Sequence, residues 1–107
     1  LFGDLARSTK NSNYIVMETQ SQGFKNWVPY PGQLRLQAYS HIASGANMLS
    51  YWPWSSIHNG YETYWSGIIG HDFKRNPVYD EVLKTGNEFN KYSKLFIETS
   101  KKIKWLL

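Results

Sequence analysis

The sequence predicts an α/β domain built on parallel strands, and three observations carry that expectation. Tyr14-Ile15-Val16-Met17 is an apolar run with two β-branched residues, too short to show a helical period. Asn47 to Tyr51, centred on Met48 and Leu49, is a second such run. Between them lie a long loop and one helix, so the order strand, helix, strand describes a βαβ unit, right-handed by the usual rule. Strands in a sheet covered by helices are buried on both faces, and that is the expectation for Tyr14 to Met17. The first run ends in a carboxylate, Glu18, followed by Thr19 and Gln20. A charge at the mouth of a buried strand is costly unless it is solvated, paired or used. The C-terminal edge of a parallel sheet is also where active sites lie. Taken alone, Glu18 is equally well the first solvated residue after a strand.

The elements follow in order. Leu1, Phe2, Leu5 and Ala6 are spaced for a helix that ends near Lys10, and Asn11-Ser12-Asn13 is a turn. Ser21 to Pro31 is a loop, broken by Gly23, Pro29 and Pro31 and crowded with Phe24, Trp27 and Tyr30. Pro31-Gly32 opens the next helix. Its apolar face is expected to hold Leu34, Leu36, Ala38, His41 and Ile42, and Gly45 ends it. Trp52-Pro53-Trp54 follows the second strand, and Ile57 to Asp72 is a further loop with Tyr61, Tyr64 and Trp65 around Glu62. Asn76-Pro77 starts a helix from Val78 to about Ser93, with Val82, Leu83, Phe89 and Tyr92 on its inner face. Residues 1–93 therefore read as one unit, and 94–107 as the end of that helix and a linker. Both loops that follow strands are far longer than the usual two to six residues, which points to function.

Composition removes several classes. A chain of 107 residues is one domain at most. The absence of cysteine excludes disulfides and thiolate metal sites. A net charge of +4 is mild, and Lys101, Lys102 and Lys104 supply much of it. The aromatic stretch from Tyr51 to Trp65 holds no Lys or Arg, against the pattern of a nucleic-acid binder. No segment has the apolar length of a membrane span. The chain starts at Leu1, inside what reads as a helix, as a piece of a longer protein would.

Two loops at one sheet edge thus carry Glu18, Glu62, His58, His71, Asp72 and several rings. Carboxylates among stacking aromatics describe a carbohydrate site, because glycosidic cleavage needs two carboxyls and sugar C–H faces pack on indoles. His58, His71 and Asp72 lack the spacing of a zinc or calcium site, so no metal and no cofactor is expected. Serine and cysteine nucleophiles have no motif here, and there is no glycine-rich phosphate loop. Core packing is the plainer role for Tyr39, Phe89 and Trp105. A hydrogen-bonded structural role suits His41.

Several motifs, in order and spacing, resemble one family. Val16-Met17-Glu18-Thr19-Gln20, Asn26-Trp27-Val28-Pro29 and Pro31-Gly32-Gln33-Leu34-Arg35-Leu36 look like the closing part of glycoside hydrolase family 42, the β-galactosidases. The likeness continues through Ala43 to Asn47, Tyr51-Trp52-Pro53-Trp54, Glu62 to Gly67, His71-Asp72 and Asn76-Pro77-Val78-Tyr79. The resemblance implies the last two βα units of a TIM barrel, strands seven and eight with their helices, and not a complete barrel. It implies that Glu18 is the nucleophile of a retaining β-galactosidase. Trp27, Glu62 and Trp65 match positions lining the galactose pocket, with Trp52 and Trp54 beside them. Many members have His where this chain has Trp65.

The family also places a general acid/base Glu, following an Asn, at the end of the fourth barrel strand, ahead of this segment. The Asn87-Glu88 pair here falls inside a helix instead. The chain therefore reads as an inactive fragment of the enzyme, missing one of two carboxyls. The resemblance further implies a galactoside substrate, the rest of the barrel as partner, a homotrimer formed through a later domain, and a cytoplasmic location. The competing reading is a non-catalytic carbohydrate-binding module using the same rings and carboxylates. The βαβ pattern argues against it, since such modules are usually small all-β domains. A plain structural α/β domain is the third reading.

Overall fold

A computed structural model describes residues 2–22 and 27–98. Among the described residues, three helices and two strands follow one another as α1 (Phe2–Lys10), β1 (Tyr14–Gln20), α2 (Gln33–Ala43), β2 (Ala46–Trp52) and α3 (Pro77–Glu98). β1 and β2 pair in parallel as a two-stranded sheet, with α2 as the crossover. The architecture is the α/β one that the two apolar runs predict. Both strands are longer than those runs. Each continues through polar or aromatic residues that a hydrophobicity pattern does not assign.

The turn from α2 into β2 shows how local chemistry sets the crossover. Gly45 has φ 99°, a left-handed conformation that glycine tolerates best, and its N–H donates to Ile42 O at 2.9 Å. A Cβ at Gly45 would also press on the Arg7 side chain of α1. Tyr14 N–H then donates to Gly45 O at 3.2 Å, so the ladder begins at this turn. Asn13 Nδ2 donates to Asn47 Oδ1 at 3.0 Å beside the first register shift.

The core is small. Leu34 and Ala38 of α2, Ala46 at the start of β2, Ile68 and Ile69 of the long loop, and Val78 of α3 are buried. On α2, Leu34 and Ala38 are buried and positions 33, 37, 39, 41 and 42 are half-buried, a helical stripe centred on Leu34 and Ala38. Leu36 is off that stripe and 60% exposed, against the sequence expectation. Tyr39 meets Phe89 edge-on at 5.0 Å, joining α2 to α3. On α3, Val82 and Phe89 are half-buried, but Leu83 and Tyr92 are exposed. The helix also runs five residues past Ser93, to Glu98. The rest of the expected linker, 99–107, with Trp105, lies outside the described residues.

The expectation of a strand buried on both faces does not hold for β1. Tyr14 and Val16 are half-buried towards the helix layer, whereas Ile15 and Met17 are 51% and 68% exposed. Met48, the partner of Ile15, is 43% exposed. One face of the sheet is covered by helix and the other is open. α1 packs on β1 and α2 on β2, while α3 packs on α2.

The segment from Pro53 to Asn76 is an ordered loop built around Ser56. Its buried Oγ donates to Ile69 O at 3.1 Å and accepts from Gly67 N–H at 3.0 Å. Ser55 and Ile69 form a short parallel bridge. Gly67 lies against the Ser55–Ser56 backbone, where no side chain would fit. Asn76 caps α3: its Oδ1 accepts from Tyr79 N–H at 3.0 Å, and Pro77 takes the first helical position.

Candidate active site

The placement of Glu18 follows from a fault in the strand ladder. Val16 pairs with Leu49 and Thr19 with Tyr51, so three steps along β1 match two along β2. The extra residue is a β-bulge at Met17–Glu18. Strict alternation would turn Glu18 towards α2, on the side of Val16. With the bulge, Met17 and Glu18 are consecutively exposed and Thr19 returns to the helix side, where its Oγ1 accepts from Gln37 Nε2 at 2.8 Å. Glu18 therefore shares the open face with Ile15, Met17 and Met48, near the C-terminal ends of both strands.

The aromatic residues divide between this face and the helices. Trp52, the partner of Gln20, meets Trp65 edge-on, with ring centroids 4.9 Å apart at 89°. The Trp65 turn is fixed by its own backbone: Trp65 N–H donates to Glu62 O at 3.0 Å, and Ile57 N–H to Trp65 O at 3.2 Å. This brings half-buried Glu62 to the same loop as Trp65. Trp27 is 41% exposed on the loop after β1. That loop is tied to the Trp65 loop by Gln22, whose Nε2 donates to Gly67 O at 2.7 Å. Ser21, fully buried, extends the tie by donating its N–H to Trp52 O at 3.1 Å.

Trp54 goes elsewhere. Its ring lies 6.1 Å from Tyr79 of α3, and Arg75 covers the Tyr79 ring at 4.9 Å. Trp52 and Trp54 thus leave the strand end in different directions, one into the Trp65 pair and one onto α3. The polar residues of the long loop serve the loop itself. His71 Nε2 is 2.8 Å from Ile57 O, His58 packs between His71 and Phe73, and Asp72 accepts from Lys74 N–H at 3.1 Å. Among the described residues, no group of three His, Cys, Asp or Glu side chains could hold a metal ion. Asn87 and Glu88 are inside α3, where Glu88 accepts from Arg35 Nε at 2.8 Å and Tyr39 Oη at 2.9 Å.

A cleft of about 440 Å³ opens between the starts of α2 and α3, lined by Val28, Pro29, His71, Asn76, Val78 and Glu81 among others. Glu18, Trp52 and Trp65 do not line it. The cleft is thus distinct from the place where Glu18 and the paired indoles lie. Sequence reasoning missed Gln37 and Gln22. The only signal for Gln37 is a polar residue within the buried stripe of α2, and Gln22 has no local signal at all.

The family model described as β-galactosidase, glycoside hydrolase family 42, matches residues 1–92. The chain belongs to glycoside hydrolase family 42. Among curated proteins it is 34% identical over 98 residues to the β-galactosidase LacZ of Heyndrickxia coagulans, covering 86% of this chain and 15% of that protein. Among solved structures it is similar to a β-galactosidase from the haloarchaeon Halorubrum lacusprofundi, with TM-score 0.70 and 31% identity over 82% of this chain and 14% of that one. A family 42 β-galactosidase from G. stearothermophilus gives TM-score 0.82 at 24% identity, over 94% of this chain and 15% of that one, a likeness of fold. The chain spans about 15% of the length of these relatives. Among the described residues, no helix is long and apolar enough to cross a membrane.

Proposed function

We propose that this chain is the segment of a retaining β-galactosidase that carries the catalytic nucleophile, Glu18. In this reading β1 and β2 are strands seven and eight of a (β/α)8 barrel, and the open face of the sheet looks into its interior. The observation that carries the reading is the bulge at Met17–Glu18, which turns the carboxylate onto that face. Bulges next to active sites commonly re-aim a side chain in this way.

The chemistry assigned to Glu18 is double displacement. One carboxylate oxygen attacks the anomeric carbon of a terminal β-galactoside as the bond to the leaving oxygen breaks. That oxygen takes a proton from a second carboxylic acid. The product is a galactosyl ester of Glu18. Water, deprotonated by the second group, then attacks the same carbon, releasing galactose and restoring the carboxylate. The two carboxyls must stand about 5–5.5 Å apart. The family pattern places the second upstream of this segment, so the isolated chain is expected to be inactive. Trp27, Glu62 and Trp65 are assigned to the galactose pocket, with Trp52 and Trp54 beside it. The Trp52–Trp65 corner supports that assignment for two of the rings. Trp54, on the α3 flank, would serve only a more distant part of the substrate. Assembly as a homotrimer in the cytoplasm completes the proposal, on the family pattern alone.

The test is Glu18→Gln in the full-length enzyme. Deleting the attacking oxygen while keeping the volume should abolish turnover and leave sugar binding largely intact. A rate within about tenfold of the parent, roughly 1.4 kcal/mol on the barrier, would remove Glu18 as nucleophile.

A further inference from the structure

What keeps the bulge in place is a separate question from what the bulge presents. A bulge interrupts the ladder, and the pairing around it could in principle slip by one residue, sending every later side chain to the opposite face. In this chain a slip would turn Glu18 under α2 and Thr19 onto the open face. Two contacts from α2 oppose it. Gln37 Nε2 donates to Thr19 Oγ1 at 2.8 Å, and Tyr51 Oη donates to Leu34 O at 3.0 Å. Thr19 and Tyr51 are cross-strand partners and form the first pair after the bulge. Leu34 and Gln37 are three residues apart on α2, so one turn of a single helix grips both strands immediately beyond Glu18.

The Gln37 side chain makes poor sense as a stabilising group. Its Oε1 is buried and has no hydrogen-bond partner among the described residues. An unmet buried acceptor costs more than one neutral hydrogen bond returns. An apolar side chain of similar length would fill the same place in the stripe with no such cost. Buried polar groups left half-satisfied call for a reason other than stability. The donor end of Gln37 supplies one, because it meets the residue next to the carboxylate.

We infer that Gln37 is a positioning residue for Glu18, acting through Thr19 to hold the bulge that aims the carboxylate at the reacting carbon. This rests on the reading of Glu18 as nucleophile. Nucleophilic attack needs near-contact geometry, and a displacement on the order of 1 Å can lower the rate about 100-fold. Substrate contacts made by other residues are untouched by such a displacement. The loss therefore belongs in kcat and not in KM.

The experiment uses the full-length enzyme and an aryl β-galactoside. Gln37→Met and Thr19→Val each remove the hydrogen bond at nearly constant volume. Each should lower kcat by about 10- to 100-fold with KM within about twofold. The double variant should be no slower than the slower single one, because both remove the same contact. Thr19→Ser, which keeps the acceptor oxygen, should recover most of the loss seen with Thr19→Val. Gln37→Met should melt at or above the parent temperature, since it removes an orphaned acceptor. Values of kcat within about twofold of the parent in both single variants would overturn the inference. So would multiplicative losses in the double variant, or a lowered melting temperature that accounts for the loss. Glu18→Gln separates the two levels. If it still turns over, the nucleophile assignment fails; if it is inactive while Gln37→Met and Thr19→Val are normal, only the positioning role fails.

Discussion

Glu81 of α3 holds the first turn of α2 from outside that helix. Its two carboxylate oxygens accept from Gly32 N–H and Arg35 N–H, both at 2.9 Å. Gly32, at the N-cap with φ 90°, has no side chain to do this for itself. Losing an N-cap acceptor typically costs about 0.5–2 kcal/mol, and a carboxylate at a helix N-terminus adds about 0.3–1 kcal/mol. Solvent reaches both bonds, so the lower half of the sum applies to Glu81→Ala, about 1.4 kcal/mol or tenfold in local opening. Glu81→Gln keeps one acceptor and should lose about half of that, roughly threefold. Hydrogen exchange in the peptide covering residues 31–37 of the full-length enzyme is the assay, because local opening of α2 is what the amides report. Exchange of the Gly32 and Arg35 amides within about twofold of the parent in Glu81→Ala would refute the cross-helix cap.

Two further outcomes follow from particular contacts. The Glu88 carboxyl is held below its ordinary value, first by the hydrogen bond from Tyr39 and then by that from Arg35. Its stabilisation is therefore complete above about pH 4.5, the ordinary value, and is lost as pH falls below it. Tyr39→Phe should flatten the acid side of the stability curve, and an unchanged acid limb in denaturant titrations would contradict the assignment. The isolated chain, whose β1–β2 sheet has an open face of Ile15, Met17 and Met48, should self-associate. Burying one such side chain contributes about 1.5–3 kcal/mol, and a lone strand pair is marginal in water. Sedimentation at micromolar concentration giving one sharp monomer with a cooperative melt would rule this out.

The sequence and the structure agree where local chemistry decides. Tyr14 to Met17 reads as a strand because nothing in it suits a helix. Asn76-Pro77 reads as a helix start because cap and first-turn chemistry are local. The carboxylate after the first run stands out as a candidate for the same reason. Its direction does not, because the bulge depends on register against β2, some thirty residues later in the chain. Leu36 is misplaced by pattern reasoning for a related reason: it is apolar, but the buried stripe is set by where α3 and the sheet lie. Trp52 and Trp54 look equivalent around Pro53 in the sequence. Only the folded loop sends one to Trp65 and the other to Tyr79. Gln37 and Glu81 act across elements, so no local pattern marks either.

In the proposed mechanism Glu18 forms a covalent bond to the sugar, and that bond can be trapped. A 2-fluoro-galactosyl fluoride carries a good leaving group but slows hydrolysis of the ester that forms on a retaining enzyme. Full-length enzyme is treated with it, digested, and the peptides are mapped by mass. One fluorogalactosyl group per chain, with fluoride released, is expected on the peptide containing Glu18 and on the Glu18 side chain itself. A label on Glu62 or on any peptide outside this segment would contradict it.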